Sequence, residues 1–210
     1  MRAVSVLAKN ALQHALMRGA FTWRVAGGHD SALTFDDGPN EQYTPKILEL
    51  LARHGVKASF FLVGTAMQRS PELVRQIAHE GHCIGSHTLT HRDLPSLTTG
   101  ELEQELVGCR TLIKQMTGRD TNLIRPPRGR INTRSLLCIK RWGYHLVHWS
   151  KTYSDYLKDG TAPLLNRIRS QGLEPSDIAL LHDNNGHTVE ALAAALPEWL
   201  ARGVTFVRLA

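Results

Sequence analysis

Short apolar runs alternate with helical patterns through most of this chain, and that alternation constrains the fold more than any other feature. The apolar runs predict strands at Ala32–Phe35, Ala58–Val63, Cys83–Ser86, Leu123–Arg125, Tyr144–Trp149, Ile178–His182 and Val204–Leu209. Helical patterns fall between them, near Thr44–His54, Pro71–Glu80, Thr99–Thr117, Thr133–Trp142, Ala162–Gln171 and Val189–Arg202. Gly55, Gly81, Gly118, Gly143, Gly172 and Gly203 each follow a helical pattern, where a left-handed residue closes the last turn. Ser70-Pro71 reads as a cap followed by a first-turn proline. Strands separated by helices make a parallel sheet, α/β in class. Seven strands in one domain can close into a small barrel, with an open doubly wound sheet as the alternative. A dinucleotide-binding version lacks its fingerprint, because Gly27-Gly28 precedes the first strand instead of following it. In both parallel architectures, function sits at the C-terminal ends of the strands.

The 210 residues fit one domain, and 42% hydrophobic with 21% charged is ordinary globular material. Lys plus Arg number 25 against 19 Asp plus Glu, a net charge of +6 that suits an anionic partner. Nucleic acid is not expected, since zinc-finger spacing, RNA-binding aromatic motifs and Lys/Arg blocks are all lacking. Cys83, Cys109 and Cys138 are odd in number and far apart, which argues against a disulfide framework and for a reducing compartment. Residues 1–30 read as a basic N-terminal segment ahead of a domain spanning 31–210. Arg2, Lys9, Arg18 and Arg24 precede the first acid, Asp30, while Val4, Leu7, Leu12 and Leu16 share parts of a helical face. Two readings stand for this segment: a helix packed on the domain, which is favoured, and a basic amphipathic helix making peripheral membrane contact. Lys9 interrupts any signal-peptide core, so the expected location is cytoplasmic, with the inner face of the membrane as the place for such contact.

Polar clusters stand where strands end. The first strand runs into Thr34-Phe35-Asp36-Asp37-Gly38-Pro39, and the third into Ser86-His87-Thr88-Leu89-Thr90-His91. Arg125-Pro126-Pro127-Arg128-Gly129 follows the fourth, and the sixth ends in Leu180-Leu181-His182-Asp183. Parallel strands share direction, so these clusters are expected on one rim. Asp36 and Asp37 alone read as a turn. On extended backbone, however, neighbouring side chains point to different sides, so one carboxylate can hold a metal while the other stays free as a base. His87 and His91 are four apart, which on a helical turn puts both imidazoles on one face. One carboxylate with two histidines makes a metal triad that leaves positions open for water and substrate. His182, at the end of a buried strand, can give or take a proton near neutral pH.

Taken together, TFDDGP, HTLTH, RPP and LLHD, in that order, resemble the polysaccharide deacetylases, the NodB-homology group of carbohydrate esterase family 4. The likeness runs from about Ser31 to Ala210. It implies a distorted (β/α) barrel, usually of seven strands. It also implies roles: Asp36 as general base; Asp37, His87 and His91 as metal ligands; Arg125 orienting the base; His182 as general acid. Leu180 corresponds to the apolar wall of the acetyl-methyl pocket, and Asp155 to an aspartate that tunes the catalytic histidine. Two positions depart from the family pattern. Arg128 stands where relatives carry Tyr; its backbone N–H can still serve an oxyanion, while its side chain would put a cation beside substrate. Ser150-Lys151-Thr152 stands where relatives often carry aspartates.

The expected function is therefore metal-dependent removal of N-acetyl groups from an amino sugar, whether in a glycan, in an oligosaccharide or linked to lipid or nucleotide. The cofactor would be one divalent ion, Zn²⁺ first, with Co²⁺, Ni²⁺ or Mn²⁺ as alternatives, and Arg128 suggests an anionic substrate. Competing readings are an O-acetyl esterase or other amide hydrolase on the same fold, a non-catalytic glycan-binding module, and a membrane-associated assembly protein.

Overall fold

The computed structural model describes residues 21–210. Among these residues, eight parallel strands form one sheet in the order β1-β6-β5-β4-β3-β2-β8-β7. They are β1 (Phe21–Thr22), β2 (Ala32–Asp36), β3 (Ser59–Leu62), β4 (Cys83–Ser86), β5 (Leu123–Ile124), β6 (His145–Val147), β7 (Lys151–Thr152) and β8 (Ile178–His182). The α-helices are α1 (Thr44–Arg53), α2 (Gly64–Arg69), α3 (Pro71–His79), α4 (Thr99–Thr117), α5 (Thr133–Arg141), α6 (Thr161–Gln171) and α7 (Gly186–Ala201). The sheet curls into a half-barrel. After β1 the chain crosses to the start of β8, where Arg24 bridges Asp177.

Side chains alternate across each strand and set two layers. Leu33 and Phe35 of β2, Phe60 and Leu62 of β3, and Ala179 and Leu181 of β8 face the helices, packing with Ile47, Leu51, Val74, Ile77, Leu192, Leu196 and Trp199. The opposite face carries Ala32, Phe61, Cys83, Leu123, Val147 and Ile178 inside the curl. Thr34 and Asp36 share that inner face with Ala32, as Leu180 and His182 share it with Ile178. The period-two pattern thus sends the polar ends of β2 and β8 into the half-barrel, over an apolar floor.

Local signals explain the helices. Thr98 and Glu101 form a reciprocal capping box at the start of α4, and Gly118 closes it in the left-handed conformation at φ 69°. All six glycines expected after helices have positive φ. Ser70 does precede α3, but its side chain makes no cap; its hydroxyl donates to Glu41 Oε1 at 3.0 Å instead.

The strand count corrects the expected seven. Val204–Leu209 is not a strand. It passes beneath the strand starts, with Val207 N–H donating to the Ser31 carbonyl (2.9 Å) and Leu209 N–H to Ser59 Oγ (2.9 Å), and only Phe206 makes a ladder bridge. The edge beside β8 belongs to β7. β1 and β7 hold two residues each, too few for periodicity to register. The amphipathic pattern of Val4, Leu7, Leu12 and Leu16 lies outside the described residues. The sheet already begins at Phe21, inside the segment read as preceding the domain. Among the described residues no helix is long and apolar enough to cross a membrane.

Candidate active site

The ends of β2, β4, β5 and β8 meet on one rim. Asp36 lies directly opposite His182 across the β2–β8 ladder. Asp37 follows in a left-handed conformation, φ 76°, which turns its carboxylate away from that of its neighbour. The nearest partners of the two aspartates therefore differ, although His87 Nε2 also lies 3.8 Å from Asp36 Oδ2. Asp36 Oδ1 accepts from Arg125 Nη1 at 2.7 Å, whereas Asp37 Oδ1 lies 3.5 Å from His87 Nε2 and 3.2 Å from His91 Nε2.

The histidines meet by a route the spacing did not reveal. They sit on a turn after β4, not on a helical turn; Thr88 (φ 70°) and His91 (φ 60°) are both left-handed, and the rings come to 5.0 Å between centroids. That turn is braced by Glu105 of α4, which accepts from the Thr90 N–H (2.8 Å) and the Thr90 hydroxyl. Leu89 packs where a Cβ on Gly64 would stand 2.6 Å from its Cδ1, so residue 64 needs to be glycine.

Asp37, His87 and His91 each offer one ligand atom, and the three atoms lie within 4.8 Å of one another. The protonation pattern fits a cation. Burial raises the Asp37 carboxyl, but the His91 hydrogen bond and the charges of His87, His182 and His91 outweigh it, bringing the value down to about 2. His87 is pushed down, mainly by burial. Its Nδ1–H donates to the Arg125 carbonyl at 2.7 Å, leaving the Nε2 lone pair to face Asp37. A carboxylate and oriented, neutral imidazole nitrogen are the donors a borderline divalent ion takes.

Arg125 is 0% exposed. Its guanidinium bonds Asp36, Thr34 Oγ1 (2.8 Å) and the carbonyls of Val147 (3.3 Å) and His148 (3.0 Å), and it stacks 4.1 Å over Phe61. Buried charges are tolerated when paired and hydrogen-bonded in this way. On the other side, His182 Nδ1–H donates to Asp155 Oδ1 (2.8 Å), while Asp155 Oδ2 accepts from the His182 N–H (2.6 Å) and from Thr188 Oγ1 (2.9 Å). Burial disfavours charge on His182, but the Asp155 hydrogen bond and charge, with Asp36 and Asp37, lift its pKa to about 9.

Leu180 is buried on the face that bears His182. Arg128 sits at φ 55° in the turn after β5, and its N–H is taken by no group among the described residues. Its side chain is 57% exposed, with Nη1 3.7 Å from Asp93 Oδ1. Sequence reasoning missed three supports. Thr188 fixes Asp155. Asn184 Nδ2 donates to Asp37 Oδ2 at 3.0 Å, leaving Oδ1 toward the histidines. Asp183, raised to about 7 chiefly by burial, accepts from the Thr44 hydroxyl and packs where any Cβ on Gly38 would collide. Asn184 and Asp183 directly follow His182, and that adjacency was the available signal.

The family model for polysaccharide deacetylases matches residues 25–147. A peptidoglycan-N-acetylglucosamine deacetylase of Bacillus cereus is 36% identical over 195 residues, covering 90% of this chain and 91% of that protein. The peptidoglycan-N-acetylmuramic acid deacetylase PdaA of Bacillus subtilis is 35% identical over 178 residues, 83% of this chain and 67% of that one. Among solved structures, the Bc1960 peptidoglycan N-acetylglucosamine deacetylase superposes with a TM-score of 0.85 at 32% identity, covering 90% of this chain and 91% of the other. The chain belongs to the polysaccharide deacetylase family. It is a carbohydrate deacetylase, a metal-dependent hydrolase.

Proposed function

We propose that this enzyme removes the N-acetyl group from an amino-sugar unit of a glycan, with Zn²⁺ held by Asp37, His87 and His91. The observation that carries the reading is the division of labour between adjacent aspartates: one is hydrogen-bonded to a buried arginine, and only the other reaches both imidazoles. When bound, the ion supplies Lewis acidity, drawing charge from the acetyl carbonyl and easing loss of a proton from the attacking water. Asp36 takes that proton as the water oxygen bonds the carbonyl carbon, with Arg125 fixing the carboxylate's orientation. The Arg128 N–H faces the oxyanion, and Leu180 walls the methyl group. His182 Nε2 then delivers a proton to the sugar nitrogen as the C–N bond breaks, releasing acetate and a free amine. Incubation with N-acetylglucosamine oligomers followed by mass spectrometry tests this: each turnover removes about 42 Da and creates an amine. A product with new hydroxyls and intact amides would establish the O-acetyl esterase reading instead.

The acid role sets a pH dependence. His182 is protonated below its pKa of about 9, so activity is retained through neutral pH and lost as pH rises past that value. Asp155→Asn removes the hydrogen-bonded charge that holds the proton. The alkaline limb of kcat/KM is therefore expected to move down by about one to three pH units. An unmoved limb would separate Asp155 from the acid.

An anionic neighbour on the substrate is the finer part of the proposal. The exposed Arg128 side chain supports it, as does a relative acting on N-acetylmuramic acid, a carboxylate-bearing sugar. Asp93 already neighbours that guanidinium, and solvent screens it, so the contact contributes about 0.2–1 kcal/mol. Arg128→Tyr should raise KM for an anionic oligosaccharide by up to about fivefold and leave a neutral chitooligosaccharide unchanged. Equal effects on the two substrates would remove the charge-reading role.

A further inference from the structure

We propose that Trp23 is a distal sugar-binding platform, on which a pyranose ring of the glycan stacks while another unit of the same chain occupies the metal site. The inference rests on the glycan reading above. Five large hydrophobic side chains are exposed among the described residues, and single exposed apolar side chains are ordinary. Trp23 differs from Val107 and Leu137, which lie on helices, because its ring ends an aromatic ladder that starts inside the site. It lies 4.9 Å from Phe21 and 5.4 Å from His148; Phe21 and His148 are 5.2 Å apart, and His148 stacks on Trp149 at 5.1 Å.

The ladder has a fixed footing. Trp149 lies 5.7 Å from the Arg125 guanidinium, which also donates to the His148 carbonyl. Gly129, in the turn after Arg128, lets both rings approach: a Cβ there would stand 2.7 Å from Trp149 Cη2 and 3.0 Å from His148 Cε1. β1 pairs with β6, and the His148 N–H donates to the Thr22 carbonyl at 2.8 Å, so Trp23 stands level with His148 at the C-terminal end of the sheet. Burial first, then the charge of Arg125, pushes His148 down to about 4, so it is a neutral aromatic plate at working pH. Trp23 is 52% exposed. A tryptophan offers an apolar face and one N–H donor, which match the C–H face and hydroxyl rim of a pyranose.

The test uses β-1,4-linked N-acetylglucosamine oligomers of one to six units with wild type, Trp23→Ala, Trp23→Gln and Trp23→Phe. Trp23→Ala and Trp23→Gln are expected to raise KM for the longer oligomers about tenfold, equivalent to about 1.4 kcal/mol, with kcat and the shortest substrates unchanged. Trp23→Phe should retain most of the platform. Calorimetric titration of the hexamer into metal-loaded Asp36→Asn protein, with and without Trp23→Ala, reads the same contact without turnover. Losses equal at every length, or none, would overturn the platform while leaving the deacetylase reading intact. Hexamer binding that needs Trp23, in an enzyme releasing no acetate, would keep the platform and overturn the reaction. A hexamer that binds wild type and Trp23→Ala alike would overturn the platform whatever the activity.

Discussion

Asp36→Asn is expected to lower kcat by about 10²–10⁴-fold, the contribution of a positioned general base, while metal content stays at the wild-type level. The amide keeps an oxygen for Arg125 Nη1 but cannot take the proton of water. It also removes the carboxylate that neutralises a fully buried guanidinium. Breaking a buried pair costs up to about 3–5 kcal/mol, partly offset here because Thr34 and two carbonyls still hold Arg125. A lower melting temperature is therefore part of the expected result, and turnover is to be read where circular dichroism shows the protein folded. Asp37→Asn should behave differently, losing metal and turnover together. If Asp37→Asn keeps its metal and Asp36→Asn loses it, the two roles are exchanged.

His91→Ala should reduce metal affinity by more than the 10–100-fold typical of outer-shell partners, and activity at limiting metal should fall with it. This variant is cleaner than His87→Ala. His91 is 31% exposed and its loss leaves room for water. Removing His87 also strips the Arg125 carbonyl of its partner inside the core, adding about 1–3 kcal/mol of destabilisation. Metal titration monitored by calorimetry separates the cases: affinity falls in both variants, and the melting temperature of the metal-free protein falls mainly in His87→Ala. Wild-type affinity in His91→Ala would remove it from the ligand set.

Much of this architecture is legible in the sequence. Six of the expected strands and all six expected helices are present, because strand and helix periods differ and glycines mark the helix ends. The convergence of DDGP, HTLTH, RPP and LLHD followed from strand direction alone. What escaped has physical reasons. β1 and β7 are too short for a pattern, and Val204–Leu209 has a strand's composition but crosses under the sheet. Helical spacing predicts the His87–His91 pairing, yet it comes from two left-handed residues, and a β-branched Thr88 in that conformation is not foreseeable from sequence. Thr188, Asn184 and Asp183 carry no chemistry of their own. Their value lies in what they touch, Asp155, Asp37 and Gly38; adjacency to His182 marks Asn184 and Asp183 in the sequence, but the contacts themselves come from packing.

The central claim, a hydrolase that works through an ion at Asp37, His87 and His91, is tested most directly by metal content measured beside acetate release, before and after chelation. One divalent ion per chain is expected, with acetate release abolished when the ion is stripped and restored by Zn²⁺. Full acetate release from protein shown to contain no metal would contradict it.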